Sequence, residues 1–444
     1  MKFKKVAAWL LISSLTIMMV LTGCSGKKQT EGNATPSDTV TSKPIEINYW
    51  TGNAELVPWM EKMADDYNKV CPNVTVKISS FPLRDFEKKL TTAIPSKSAA
   101  DIVTVNPSLA LRYIESGFIQ KAPETLANFV RSGIYPDVAV KYAEHDGAVY
   151  GIPHTSALIS LYYNKAMLAE AGLSGPPTTM DQIIDYARKL TKYDAAGNVE
   201  RSGLSLRLSG GGGGVAEKFW IVLLQYGGGI LKEVSPGKFK DNYNNEAGLK
   251  ALQMYVDMLH KYKTDDPTIK HDVEAFQAEQ TAMFMREAYV IADTAQKAPN
   301  LDYGVVRMPL ANFIVVKDFY VTNSAEGDKA AAAWDFIDFM MKPENHKQQV
   351  DMTGTLPVRT DLQMDDLFAR IPQFKDFFTN YEVLEAFANI PEFDEILTKF
   401  AERLVNKGFT DPSFVDNPDK MQAFLADAAK ETNDILRGAG RFAE

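Results

Sequence analysis

Cysteine is nearly absent: the 444-residue chain has two, Cys24 and Cys71. That excludes the disulfide framework that staples small secreted domains. Histidine is scarce as well. His145, His154, His260, His271 and His346 are scattered, without the spacing of a zinc site. No block of Lys and Arg occurs, and the formal charge is −9, which argues against nucleic acid or an anionic lipid surface as partner. No apolar run reaches the ~20 residues of a membrane span. Gly-x-Ser-x-Gly and His-Glu-x-x-His are both missing, so two common hydrolase chemistries lose their signature. No metal and no cofactor is expected.

What is present begins with Lys2, Lys4 and Lys5, then an apolar stretch from Val6 to Leu21, then the small residues Thr22 and Gly23. That is the layout of a secretory signal over residues 1–23. Leu21-Thr22-Gly23-Cys24 resembles the lipobox of bacterial lipoproteins. The resemblance implies cleavage before Cys24 and a diacylglyceryl group on its sulfur, with acyl chains anchoring at ~0.8 kcal/mol per buried CH₂. The alternative is an ordinary cleavage site with a spacer cysteine. Residues 25–44 contain one aliphatic side chain beyond alanine, Val40. They cannot bury enough surface to offset their ordering entropy, so 24–44 reads as a flexible tether. Cleavage leaves 421 residues (444 less 23) and, with three lysines gone, a charge of −12. Cys71, the remaining thiol, reads as a small buried filler with no partner for a disulfide.

The body has 45% hydrophobic residues, ample for a core, and a length that implies two or more domains. "IEINYW" (45–50), "VTVKI" (74–78) and "DIVTVN" (101–106) read as strands. Helical spacing of Trp59, Met60, Met63, Tyr67 and Val70, and of Phe86, Leu90 and Ile94, falls between them. Strand-helix alternation implies a mostly parallel sheet. "AVYGIP" and "LISLYYN" read as β-rich, and 179–192, 216–226, 245–262 and 328–341 as helices.

In chain order, "INYWTGNAE", "AADIVTVN", "GAVYGIPHTSALISLYYNKAMLAEAGL", "LLQYGGGIL", "TAMFMREAY", "YGVVRMP" and "TGTLPVRTDL" are similar to the family 1 extracellular solute-binding proteins of ABC importers, whose best-known members bind maltodextrins. The resemblance implies an α/β periplasmic-binding-protein-like type II fold. Its N-terminal lobe would comprise 45–155 plus 303–345, and its C-terminal lobe 156–302 plus 346–444. Crossings are expected near 154–158, 301–305 and 345. It further implies a monomer that clamps a carbohydrate between the lobes, outside the cell, and delivers it to a membrane permease. The chain departs from the family where Gly-x-Trp is usual: Glu287-Ala288-Tyr289 stands there, and a carboxylate takes the glycine's room.

Ligands of open α/β sheets sit beyond the carboxyl ends of strands. Trp50 with Asn53 and Glu55 after the first strand, and Asn106 with Ser108 after the third, offer the aromatic face and short polar groups that a sugar needs. Trp50 could equally be core, and Glu55 could serve the following helix. Arg84 is either a forked donor to ligand oxygens or a solvated charge at a helix start. His154 could donate to a hydroxyl or line the hinge. The glycine run 210–214 fits no phosphate-loop pattern and reads as a mobile mouth before Lys218 and Trp220. By resemblance Trp220 faces the solute, Tyr289 replaces the family's stacking Trp, and Arg286 lies three residues before it. An oligosaccharide is the leading solute. Peptide or polyamine binding is the alternative, with a surface glycan-active enzyme or sensor on a similar fold behind it.

Overall fold

A computed structural model describes residues 43–208, 213–269, 271–378 and 383–444, with the Arg84 side chain outside the description. Cys24 and most of the glycine run lie outside the described residues. The body opens with β1 (Ile45–Thr51), α1 (Val57–Val70), β2 (Val74–Ser80), α2 (Leu83–Ala93), β3 (Ile102–Val105) and α3 (Pro107–Glu115). β1 alternates: Ile47 and Tyr49 are buried while Glu46 is exposed. Pro58 stands in the first turn of α1, where its missing N–H costs nothing. β2 and β3 both pair parallel with β1, as the alternation predicts.

β4 (Ile152–Ala157) and β5 (Ser160–Asn164) follow, then α4 (Gly214–Gln225), β6 (Met283–Arg286), α5 (Tyr289–Lys297), β7 (Tyr303–Arg307) and β8 (Ala311–Val321). The last part holds α6 (Asp328–Met340), α7 (Pro343–Thr353), β9 (Leu356–Pro357), β10 (Val383–Ala386), α8 (Phe393–Arg403) and α9 (Pro418–Gly438). Among the described residues the larger sheet runs β9-β4-β8-β3-β1-β2, with β10 pairing beside β8. It is mixed, because β8 lies antiparallel to both β3 and β4. A smaller sheet runs β6-β5-β7.

Each sheet has its own apolar packing. Ile47 and Tyr49, Trp59 and Tyr67 of α1, Phe319 of β8 and Phe336 of α6 form a core over the larger sheet. Tyr162, Phe276, Phe284 and Tyr303 cover the smaller one. A third cluster gathers α4, α8 and α9 through Phe219, Trp220, Phe400 and Leu425. α4 is buried on nearly every side, which makes it a central helix rather than a surface one.

The chain passes from the larger to the smaller sheet at Leu158–Ile159. Tyr303–Arg307 pairs with β5 in the smaller sheet. The long strand β8 runs through two cores: Ala311 and Phe313 belong to the cluster around α4, and Val316 and Phe319 to the core of the larger sheet. Its run "ANFIVVKDFYV" carries the β-branched and aromatic residues of a long strand. Cys71 is buried beside Tyr67 and Val74. It is engaged in a disulfide, which corrects the expectation of an unpaired filler; the other cysteine of the chain lies outside the described residues.

Candidate functional site

A cavity of about 260 Å3 opens where the carboxyl ends of β1 and β3 meet the end of β6. One side carries Asn53 and Glu55 from the loop after β1, Leu83 at the start of α2, Asn106 after β3, Thr155 to Ala157 of β4, and Val315 and Lys317 of β8. The other carries Arg207, Glu217 of α4, and Arg286 to Tyr289 at the turn from β6 into α5. Thr355, Leu356 and Phe387 complete the wall. Strand ends supply these groups because loops converge there while the sheet interior is filled by its own side chains.

Five of the expected residues meet in this cavity: Asn53, Glu55, Asn106, Arg286 and Tyr289. Ser108, in the first turn of α3, is buried and lines an adjoining crevice that shares Asn106, Val315 and Phe387 with the cavity. Arg84 lies in the first turn of α2, its side chain outside the described part.

Four others are corrected. Trp50 is half-buried with its ring edge on Phe81, centroids 5.5 Å apart, and the Lys89 ammonium 4.2 Å above it. It does not line the cavity, because strand alternation turns it toward the α2 side and leaves the loop beyond it to reach the solute space. Trp220 is 1% exposed and stacks on Phe313 at 4.5 Å. Its Nε1 donates to Glu385 Oε2 at 3.1 Å. α4 is enclosed, so Trp220 packs behind Phe387, and Phe387 is the aromatic that faces the cavity. His154 is fully buried between Trp59 and Phe319, 3.9 Å from the latter, and its Nδ1 stands 3.2 Å from Gln349 Oε1. Burial holds it neutral, its pKa well below the usual value, and it is a packing group near the crossing. Lys218 is buried behind the wall, where it donates to Glu287 Oε1.

Glu287 is the centre of the charge network. Desolvation pushes its carboxyl up, yet Arg286, Lys218 and Arg207 together outweigh burial and hold it well below the carboxylate range. Arg286 is 7% exposed, donates through Nη2 to the Tyr289 hydroxyl, and stands 3.2 Å from Glu287 Oε2 and 3.7 Å from Asp272 Oδ2. Those two contacts are ionic without hydrogen-bond alignment, so Nε and Nη1 of Arg286 keep unused donors. Glu287 Oε2, Asn106 Oδ1 and Arg207 Nε are likewise without hydrogen-bond partners among the described residues. Arg207 is held at φ 54, in the left-handed region, a conformation costing roughly 1–3 kcal/mol that concentrates at functional sites. The wall therefore combines amide and charged side chains with the aromatic Tyr289 and Phe387, which suits a polyhydroxylated molecule.

Sequence reasoning missed Lys317, Arg207, Glu217 and Phe387. Lys317 had a readable signal, an isolated lysine inside the apolar run of β8, where a long cation is rarely tolerated without a role. The others depend on which loop meets which strand end.

The model of the bacterial extracellular solute-binding protein family matches residues 62–376. The maltotriose-binding protein of Pyrococcus abyssi is 21% identical over 343 residues, covering 71% of this chain and 68% of that one. The sn-glycerol-3-phosphate-binding periplasmic protein UgpB of Pectobacterium atrosepticum is 26% identical, covering 71% and 73%. Among solved structures, the maltotriose-bound MalE domain of Bdellovibrio bacteriovorus superposes with a TM-score of 0.72 at 17% identity, over 88% of this chain and all of that one. The chain belongs to the bacterial extracellular solute-binding protein family, the capture subunits of ABC transporters, which hold a solute outside the membrane without converting it.

Proposed function

We propose that this protein captures a carbohydrate in the cavity around Tyr289 and hands it to the transmembrane subunits of an importer. The observation that carries the reading is the cavity wall itself: aromatic Tyr289 and Phe387 beside the polar and charged groups of Asn53, Glu55, Asn106, Arg207, Arg286 and Lys317. Sugars need that combination. The volume of about 260 Å3 falls below the roughly 300–1,000 Å3 of pockets for drug-sized ligands. It fits the end of an oligosaccharide, the remainder leaving through the mouth.

Closure would proceed about the places where the chain passes between cores: Leu158–Ile159, the middle of β8, and the segment after α7. Solute touching both sides favours the closed form by its differential affinity. Lipidation of Cys24 would keep the body at the outer membrane surface, tethered by residues 25–44. The signal-like N-terminus supports it. The protein acts as a monomer in this reading.

Calorimetric titration against a panel of neutral and acidic sugars tests the function. One sugar class is expected to bind and to reduce the radius of gyration in solution scattering. Tyr289→Ala is expected to weaken that binding about tenfold or more, the loss of one aromatic face and one hydroxyl. Peptide or polyamine binding with no sugar response would overturn the proposal.

A further inference from the structure

Lys317 occupies a place that neither the charge network nor the packing explains. It lies on β8, a long strand that runs through two of the cores. β4 and β8 shift register beside it: Lys317 faces Thr155, Asp318 faces Pro153, and His154 is left over as a bulge. Strand alternation turns Asp318 into the protein and Lys317 into the cavity. An ammonium has three donors. Among the described residues one acceptor is found for this one, the neutral amide oxygen Asn53 Oδ1 at 2.8 Å.

The charges facing Lys317 are Glu55 and Glu87 on one side and Glu217 and Glu287 on the other. None of them forms an ion pair with it within 4.0 Å. Glu55 is turned to Asn53 Nδ2 at 2.6 Å, and Glu287 is committed to Lys218 and Arg286. A desolvated cation held by one amide is a costly arrangement unless something completes it. Arg207, on the opposite wall, has an unused Nε pointing into no protein acceptor. Two under-coordinated cations from different elements thus line one small cavity.

We infer that Lys317 is a specificity-determining residue that binds an anionic oxygen group, a carboxylate or a phosphate, on the sugar unit held in the cavity, with Arg207 across from it. The inference rests on the carbohydrate reading above and narrows it to acidic sugars. The anion supplies the charged acceptor that Asn53 cannot, while Glu217 and Asn106 take hydroxyl protons. Free of ligand, burial lowers the proton affinity of Lys317 despite Glu55 and Glu217 nearby. An anion at the ammonium raises it again, so binding takes up a proton at alkaline pH.

The test is a set of matched titrations of the full mature chain: a neutral sugar, its uronate counterpart, and its phosphate ester, each against wild type, Lys317→Met and Lys317→Arg. The expected result is that one acidic member binds about tenfold or more tighter than the neutral one. Lys317→Met should weaken the acidic sugar about tenfold more than the neutral one, and Lys317→Arg should restore part of that difference. Titration at pH values stepped upward from neutrality, in buffers of differing ionisation enthalpy, should show proton uptake for wild type that Lys317→Met lacks. The uronate and phosphate arms identify which anion is meant. Equal binding of neutral and acidic sugars, or a Lys317→Met loss that is the same for both, overturns this inference and leaves the carbohydrate reading standing. Binding of no sugar at all overturns both. Thermal melts confirm that the variants are folded, and if Lys317→Met is not, the preference of wild type and the proton uptake decide alone.

Discussion

Trp220 and Tyr289 are both aromatic, and only their surroundings separate their roles. Tyr289 stands at the start of α5 with its hydroxyl tied to Arg286 and its ring on the cavity. Trp220 is enclosed by Phe313, Phe387 and Phe393, with its one polar atom satisfied by Glu385. Glu385 is pushed up to about 7 by burial, which the indole N–H partly offsets. Trp220→Ala should therefore cost stability, about 3–5 kcal/mol for a core aromatic, measured by urea unfolding. A variant that unfolds at the wild-type midpoint while losing solute affinity would return Trp220 to the binding site. Lys218, Arg286 and Glu287 make the complementary case. A carboxylate where the family has a glycine is tolerated because two cations reach it, and each would be a costly unpaired charge without it.

β8 is the element on which most of the site turns. Adjacent residues of a strand face opposite ways, so one strand delivers Lys317 to the cavity and buries Asp318. Gly151 is required beside it, since a Cβ there would meet Asp318 Oδ2 at 2.2 Å. Burial pushes Asp318 up to about 8, and the hydrogen bond from Tyr320 offsets only part of that. The unfolded carboxyl titrates near ~3.9. Between these values the folded chain keeps a proton that the unfolded chain releases, so stability falls as pH rises from about 4 to 8. Buried Asp265, pushed up to about 7, acts in the same direction. Asp318→Asn removes one titration, and its melting temperature should fall less between pH 5 and pH 8 than that of wild type, roughly the window just derived. An identical slope in calorimetry would show that Asp318 is ionised in the fold. The existence of strands β1 to β3 and their parallel pairing were legible in the sequence, as was the helix Met180–Leu190 with its cap Thr179. The reach of β8 was not, because its run of apolar residues reads equally as a strand of either sheet.

At the scale of the whole molecule, attachment and capture are separate questions. The described body has no helix long and apolar enough to cross a membrane. A thioether at Cys24 would occupy the one other sulfur of the chain, so the anchored form would carry Cys71 without a disulfide within its own chain. Intact mass of the protein isolated from a bacterial membrane is expected to show cleavage before Cys24 and a lipid adduct that Cys24→Ser abolishes. A soluble product of wild type, with mass unchanged by that substitution, would remove the anchor from this account.

Composition and periodicity by themselves determined the α/β class, and the order of the motifs carried the resemblance to a solute-binding family, because these follow from patterns local along the chain. They led also to the expectation of a site at the strand ends, where the cavity opens. Tertiary structure alone decided which side chains occupy it. It buried Trp220, turned Trp50 aside, and brought Lys317, Arg207 and Glu287 around one cavity. The physical reason is that facing a cavity depends on the direction of a side chain relative to elements far away in sequence. A shift of one residue in strand register reverses that direction.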